Sequence, residues 1–112
     1  MSSSTGCWFA YTTVDSNEKA VDMARTLVRN RNVACVNVLG PVESIYEWQG
    51  RVEQTTEWML MMKCSDRQCE ALKAAVASLH DYDVPELIMF PIEDGHAPYL
   101  QWVQAQALGS KA

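Results

Sequence analysis

Apolar and polar positions along this chain follow two alternating rhythms. Cys7-Trp-Phe-Ala-Tyr-Thr12 is a short apolar and aromatic run closed by hydroxyl residues, which predicts a buried first strand. Asp15 and Glu18 stand three residues apart as a capping box, each side chain placed to accept from an otherwise unpaired backbone N–H. In the helix that follows, Ala20, Val21, Ala24, Leu27 and Val28 recur at helical spacing while Lys19, Asp22, Arg25 and Arg29 turn elsewhere. One stripe therefore faces a core, and the helix should fray near Asn30 to Asn32.

A second apolar run, Ala34 to Leu39, is interrupted at Gly40-Pro41 and resumes from Val42 to Trp48, which predicts one bent strand. Gln49-Gly50 is a tight-turn signal, and Arg51 to Cys64 then continues without Gly or Pro, completing a β-hairpin. A strand of that length spans roughly 45 Å, far beyond the usual five or six residues, so part of it should overhang its own sheet. Ser65 to Gln68 forms a second capping box, and Cys69, Leu72, Val76 and Leu79 carry the stripe of a helix ending near His80. Tyr82 to Pro85 reads as a loop, Glu86 to Ile92 as a fourth strand, and Ala97-Pro98 as the start of a short final helix. The order β-α-β-β-α-β is the split pattern of ferredoxin-like α+β domains, a four-stranded antiparallel sheet with helices on one face.

This places one domain over residues 7–108, between a disordered tail at 1–6 and a short tail at 109–112. The uncovered face has to be dealt with. Trp48, Trp58, Met59, Met61 and Met62 alternate across both faces of the hairpin strands, so an isolated subunit would expose several large apolar groups. Oligomerisation through the overhanging hairpin is the expected remedy.

Composition narrows the partners. Fourteen acidic against nine basic residues give a net charge of −5, and the nine form no stripe that could follow a phosphate backbone, which argues against nucleic acid. No apolar run approaches a membrane span, and residues 1–6 have neither the basic start nor the apolar stretch of a signal peptide, so a cytoplasmic protein is expected. Cys7, Cys35, Cys64 and Cys69 form no CxxC pair or zinc-finger spacing, and in a reducing compartment they are expected to be free thiols. There is no GxSxG elbow, Walker loop, dinucleotide fingerprint or HExxH, and a binding protein is expected rather than an enzyme.

Several ordered segments, Ala34-Cys-Val-Asn-Val, Ser44-Ile-Tyr-Glu-Trp48-Gln-Gly50, Glu57, Lys63, Leu79-His-Asp-Tyr82, Val84-Pro-Glu-Leu and Gly95-His-Ala-Pro-Tyr-Leu-Gln-Trp102, together resemble the CutA divalent-cation-tolerance family from about Trp8 to Leu108. The resemblance implies a homotrimer, similar in architecture to nitrogen-regulatory PII signalling proteins, with long hairpins pairing around a threefold axis. It also implies a part in metal homeostasis or the response to metal ions, with weak binding of a divalent metal such as copper as the only cofactor implied.

The ligand set proposed for bacterial members, one thiol and two imidazoles, falls here at Thr12 and at Leu79-His80, so only His80 remains as a metal ligand. Glu86 and Cys35 are its companions if the fold brings them together. The plainer role for His80 is to cap the helix C-terminus and bond a backbone carbonyl. His96, beside Gly95, reads as a turn residue, and Met59, Met61 and Met62 as packing rather than a copper box. Cys35, Tyr46, Trp48, Glu57, Lys63, Tyr82 and Glu86 are candidates for an intersubunit cleft binding a small anion or metabolite, with Lys63 as its point charge and the aromatics as walls. They serve equally well as groups that satisfy one another across a trimer contact. Two further readings therefore stand beside metal tolerance: a PII-like signalling trimer that binds a small ligand between subunits, and a structural or scaffolding trimer.

Overall fold

The computed structural model describes residues 2–108, Leu108 by its backbone alone, so the tail expected over 109–112 lies outside the described residues. The elements are β1 (Cys7–Val14), α1 (Asn17–Arg29), β2 (Cys35–Trp48), β3 (Arg51–Ser65), a 3-10 turn (Asp66–Gln68), α2 (Cys69–Leu79), β4 (Ile88–Pro91) and α3 (Ala97–Leu108). The strands form one antiparallel sheet in the order β2-β3-β1-β4. This is the ferredoxin-like arrangement that the alternation of strand and helix patterns predicts.

Strand alternation divides the sheet into two faces. Trp8, Ala10 and Val14 of β1 and Leu60, Met62 and Cys64 of β3 point towards Ala20, Met23, Ala24 and Leu27 of α1 and Leu72 and Val76 of α2, making the main core. Met59 and Met61 lie on the opposite face from Met62, beside Tyr11 and Thr13 of β1. Only one end of that second face is covered, where Val103 and Leu100 of α3 pack with Cys7, Ala34 and Ile92. Phe9 and Tyr11 meet Phe90 in ring contacts, yet Ile88, Phe90 and Leu39 stay exposed.

Several local expectations are corrected. The N-cap of α1 is Ser16, whose hydroxyl accepts from the Lys19 N–H at 3.1 Å; Asp15 instead pairs with the Lys19 ammonium at 3.1 Å. One residue nearer the helix, serine reaches the free N–H, which leaves the aspartate for the longer side chain. The buried stripe of α1 includes Met23, while Val28 and, on α2, Leu79 are exposed. The second capping box is present as expected, the Ser65 side chain accepting from the Gln68 backbone and Gln68 Oε1 accepting from the Ser65 N–H at 2.9 Å. The fourth strand is shorter than expected, Ile88–Pro91.

Within the segment 1–6, Ser3, Ser4, Thr5 and Gly6 make hydrogen bonds to the rest of the chain. Asp66 Oδ1 accepts from both the Ser3 N–H and the Trp8 indole N–H, and the Thr5 hydroxyl donates to the Ile92 carbonyl. These bonds satisfy backbone groups that the apolar pattern does not register.

The hairpin is the dominant shape feature. β1 pairs with β3 only between Trp58 and Ser65, so Val42–Trp48 and Arg51–Glu57 pair with each other alone and project as a two-stranded arm. Seven residue pairs make an arm roughly 23 Å long. Gln49 and Gly50, both with positive φ (52° and 81°), close it in a two-residue turn whose twist suits a hairpin. Ile45, Trp48 and Val52 are 66%, 53% and 77% exposed, so the arm does not fold back onto its own subunit.

Within this arm the phase of β2 changes. Leu39 pairs with Met59, but the next pair is Val42 with Glu57, so β2 holds one more residue than β3 across the step. The extra residue falls at Gly40-Pro41 and forms a β-bulge. Before it, the odd-numbered Cys35, Asn37 and Leu39 share a face with Met59, Met61 and Lys63. After it, the even-numbered Ser44, Tyr46 and Trp48 lie on the face of Thr55 and Glu57. Glycine is required here because a Cβ on Gly40 would lie 2.5 Å from the Trp58 ring.

Candidate functional site

The phase change brings the polar and aromatic residues of the arm over the loop between α2 and β4. His80 caps α2, its N–H bonded to the Val76 carbonyl at 3.0 Å. Its ring is held from both sides: Nε2 lies 2.7 Å from the Thr13 carbonyl, and the Tyr82 N–H lies 3.1 Å from Nδ1. A carbonyl only accepts and an amide N–H only donates, so Nε2 carries the proton and the Nδ1 lone pair is engaged. Neither nitrogen is free for a metal. Thr12, at the position matching the family thiol, is fully buried on the core face, and its hydroxyl has no partner among the described residues. Leu79 supplies no donor atom at all. Among the described residues no three His, Cys, Asp or Glu side chains converge on a point that could hold a metal ion. The implied copper centre does not fit these residues.

The clamp on His80 serves the next residue but one. The Tyr82 ring tilts against the imidazole with centroids 4.5 Å apart, and its hydroxyl reaches Glu57 Oε2 at 2.6 Å. Burial, and then the carboxylate it bonds, push the Tyr82 phenol well above its usual range, so the hydroxyl stays protonated and donates. Glu57 is only 7% exposed. Among the described residues Tyr82 is its single side-chain hydrogen-bond partner, and no basic side chain pairs with it.

Around this pair opens a cavity of about 810 Å³ between the arm and the 82–86 loop. Its lining carries four carboxylates, Asp15, Glu57, Asp83 and Glu86, and three aromatic rings, Tyr46, Trp48 and Tyr82, with no Lys, Arg or His among the described residues. The Thr13 hydroxyl reaches Glu86 Oε1 at 3.4 Å, tying the loop to β1. The Thr55 hydroxyl, buried and without a partner among the described residues, belongs to the same lining. A smaller cavity of about 180 Å³ lies on the other side of Asp15, where the Lys19 ammonium bridges Asp15 and Asp81 at 3.1 and 2.5 Å. This pairing draws the Asp81 carboxyl below its ordinary value.

Five of the seven expected cleft residues, Tyr46, Trp48, Glu57, Tyr82 and Glu86, thus come together. Cys35 and Lys63 do not. They face each other across β2 and β3 six residues from Glu57, roughly 20 Å along the strand. Cys35 Sγ lies 3.4 Å from the Tyr99 hydroxyl, and Lys63 donates to Asn37 Oδ1. The cleft therefore lacks the point charge expected for a small anion, and its sign is the reverse. Asp15, Asp83 and Thr55 also belong to the lining without being among the expected residues. Asp83 adjoins Tyr82 in the loop, and that adjacency is its only signal in the sequence; Asp15 reads there as a helix cap.

Comparison with known proteins places the chain. Residues 8–106 match the family model described as CutA1 divalent ion tolerance protein. The Xenopus laevis protein CutA homolog is 47% identical over 94 residues, which cover 84% of this chain and 62% of that protein. The human protein CutA is 41% identical over 95 residues, 85% of this chain and 53% of that protein, so the chain spans little more than half the length of such relatives. The Thermus thermophilus divalent-cation tolerance protein CutA is 41% identical over 82% of this chain and 89% of its own length. Among solved structures, Cut A1 from Thermus thermophilus superposes with a TM-score of 0.86 at 38% identity, covering 89% of this chain and 97% of that one. CutA1 from the psychrotrophic bacterium Shewanella gives 0.89 at 33% identity, with 96% and 98% covered. By sequence and by fold, the chain belongs to the CutA1 divalent ion tolerance protein family.

Proposed function

We propose that this chain acts as a cytoplasmic homotrimer in divalent-cation tolerance, binding cations weakly in the cleft beneath the hairpin arm rather than at His80. The observation that carries the reading is Glu57: a carboxylate more than nine-tenths buried, without a basic partner among the described residues, in a cavity whose charged lining groups are all acidic. A buried charge of one sign favours a counter-charge from outside. Carboxylate oxygens suit hard cations, whereas copper prefers the imidazole and sulfur donors that this cleft lacks. The trimer is supported by the projecting arm and by the uncovered sheet face at Leu39, Ile88 and Phe90. The architecture it would share with PII signalling proteins makes occupancy of the cleft a means of reporting ion levels.

Isothermal titration with calcium, zinc and copper on the wild type, His80→Ala and Glu86→Gln tests the site. Saturable binding that survives His80→Ala and weakens in Glu86→Gln is expected. Binding that disappears in His80→Ala but is unchanged in Glu86→Gln would return the site to the imidazole. Light scattering at micromolar concentration should give the mass of three chains, and a monomer mass overturns the trimer.

A further inference from the structure

We propose that the cleft beneath the arm is built for a small organic cation, an ammonium group on an apolar stem, rather than for a bare metal ion. This rests on the reading that the cleft takes cations, and deepens it by naming the ligand class.

Three observations point to an organic ion. The carboxylates do not converge, since no three acidic, His or Cys side chains among the described residues approach a common point, so a small divalent ion would keep most of its hydration shell here and bind only weakly. The cavity, at about 810 Å³, lies in the range of sites for small organic molecules and far exceeds one ion. Its walls are aromatic: Tyr46 and Trp48 from the arm and Tyr82 from the loop. Ring faces attract cations through their quadrupole and at the same time cover apolar stems, a combination of no use to a strongly hydrated metal ion.

The polar groups agree with this assignment. Glu57 uses Oε2 for the Tyr82 hydroxyl, and no side-chain donor among the described residues reaches its Oε1, so this deeply buried carboxylate has one oxygen to offer to a ligand. An ammonium N–H is the donor that both neutralises the charge and fills the missing hydrogen bond. The Thr55 hydroxyl, buried in the same lining without a partner among the described residues, can accept a further N–H. Glu86, anchored by Thr13, and Asp83 leave a second negative wall. Asp15 contributes less, because Lys19 already neutralises it.

The test uses the full chain in its own oligomeric state, titrated with butylammonium, tetramethylammonium, calcium chloride and uncharged butanol at constant ionic strength. Binding is followed by calorimetry and by the Trp48 indole N–H resonance in nitrogen-edited NMR spectra. Saturable binding of the ammonium ions is expected, with butanol at least about tenfold weaker, and with affinity reduced about tenfold in Trp48→Leu and in Glu57→Gln. Should Glu57→Gln fail to fold, Trp48→Leu and Glu86→Gln, at the outer part of the cleft, carry the same test. Calcium binding without ammonium binding overturns the organic ligand and leaves the cation cleft standing. Ammonium binding without calcium supports the inference and removes the divalent-ion reading. Binding of neither removes both.

Discussion

Tyr82 donates its hydroxyl to Glu57 at 2.6 Å, joining the loop after α2 to the root of the hairpin arm. Tyr82 is in turn oriented by His80, whose ring bonds the Tyr82 N–H and the Thr13 carbonyl. The histidine that resembles a metal ligand in sequence is thus the pivot of a chain of hydrogen bonds ending on the buried carboxylate.

Tyr82→Phe removes the side-chain donor that Glu57 has within the chain. Leaving a buried carboxylate without it should cost about 1–3 kcal/mol, read as a lower urea midpoint with an unchanged slope. An unchanged midpoint would mean that water or a neighbouring chain already supplies Glu57.

Stability should also fall in alkali. The Tyr82 phenol is raised above its ordinary value of 10.0 by burial and by Glu57, and the Tyr99 phenol is raised to about 12 by burial and by Cys35. A raised phenol holds its proton in the folded state, so the stabilisation is complete below the unfolded value and is lost as pH rises through the folded values. Urea unfolding between about pH 8 and pH 12 should show a decline that begins near pH 10 and is shallower in Tyr82→Phe.

Gly40→Ala would place a methyl against the Trp58 ring, 2.5 Å from the nearest carbon. A loss of about 1–3 kcal/mol is expected from the forced shift of the indole. Deleting Pro41 tests the bulge itself. With the extra residue gone, Gly40 alone opposes Trp58 and Val42 keeps its pairing with Glu57, so Tyr46 and Trp48 should stay on the cleft face, with ligand affinity in the cleft and the far-ultraviolet circular dichroism spectrum both retained.

Thr12→Val replaces a fully buried hydroxyl, without a hydrogen-bond partner among the described residues, with a methyl of similar shape. A gain of about 1 kcal/mol is expected in chemical denaturation. A loss instead would show that the hydroxyl has a partner, such as a bound water.

Burial pushes the Cys7, Cys64 and Cys69 thiols up, Cys64 farthest, which keeps them protonated and unreactive. A thiol reagent near pH 8, about the range where an ordinary thiol begins to ionise, should therefore modify at most Cys35 in the native protein. Cys35 is the one cysteine that is not buried, and all four should react in urea.

The overhang was legible in the sequence because strand length is legible: a run from Arg51 to Cys64 without Gly or Pro is longer than the strands of a sheet in so small a domain. The face of the arm was not. Apolar alternation runs up to Leu39 and again from Val42, but it cannot say whether Gly40 and Pro41 both count in the pairing, and a single uncounted residue reverses every side chain beyond it. Cys35 and Lys63 share strands and family segments with the cleft residues, yet strand membership does not give distance along the strand. The role of His80 was hidden for another reason: its partners, the Thr13 carbonyl and the Tyr82 N–H, are backbone groups that carry no signature of residue type.

The residue added to β2 at Gly40-Pro41 has an outcome for how the molecule can change over time. Upstream, alternate side chains of the strand pack against the interior, where substitutions are punished. Downstream, the same strand is released from that constraint and pairs only with its own return. A lineage, or a designer, could therefore rewrite the specificity of this protein through a few alternate codons of one short segment while the interior remains untouched.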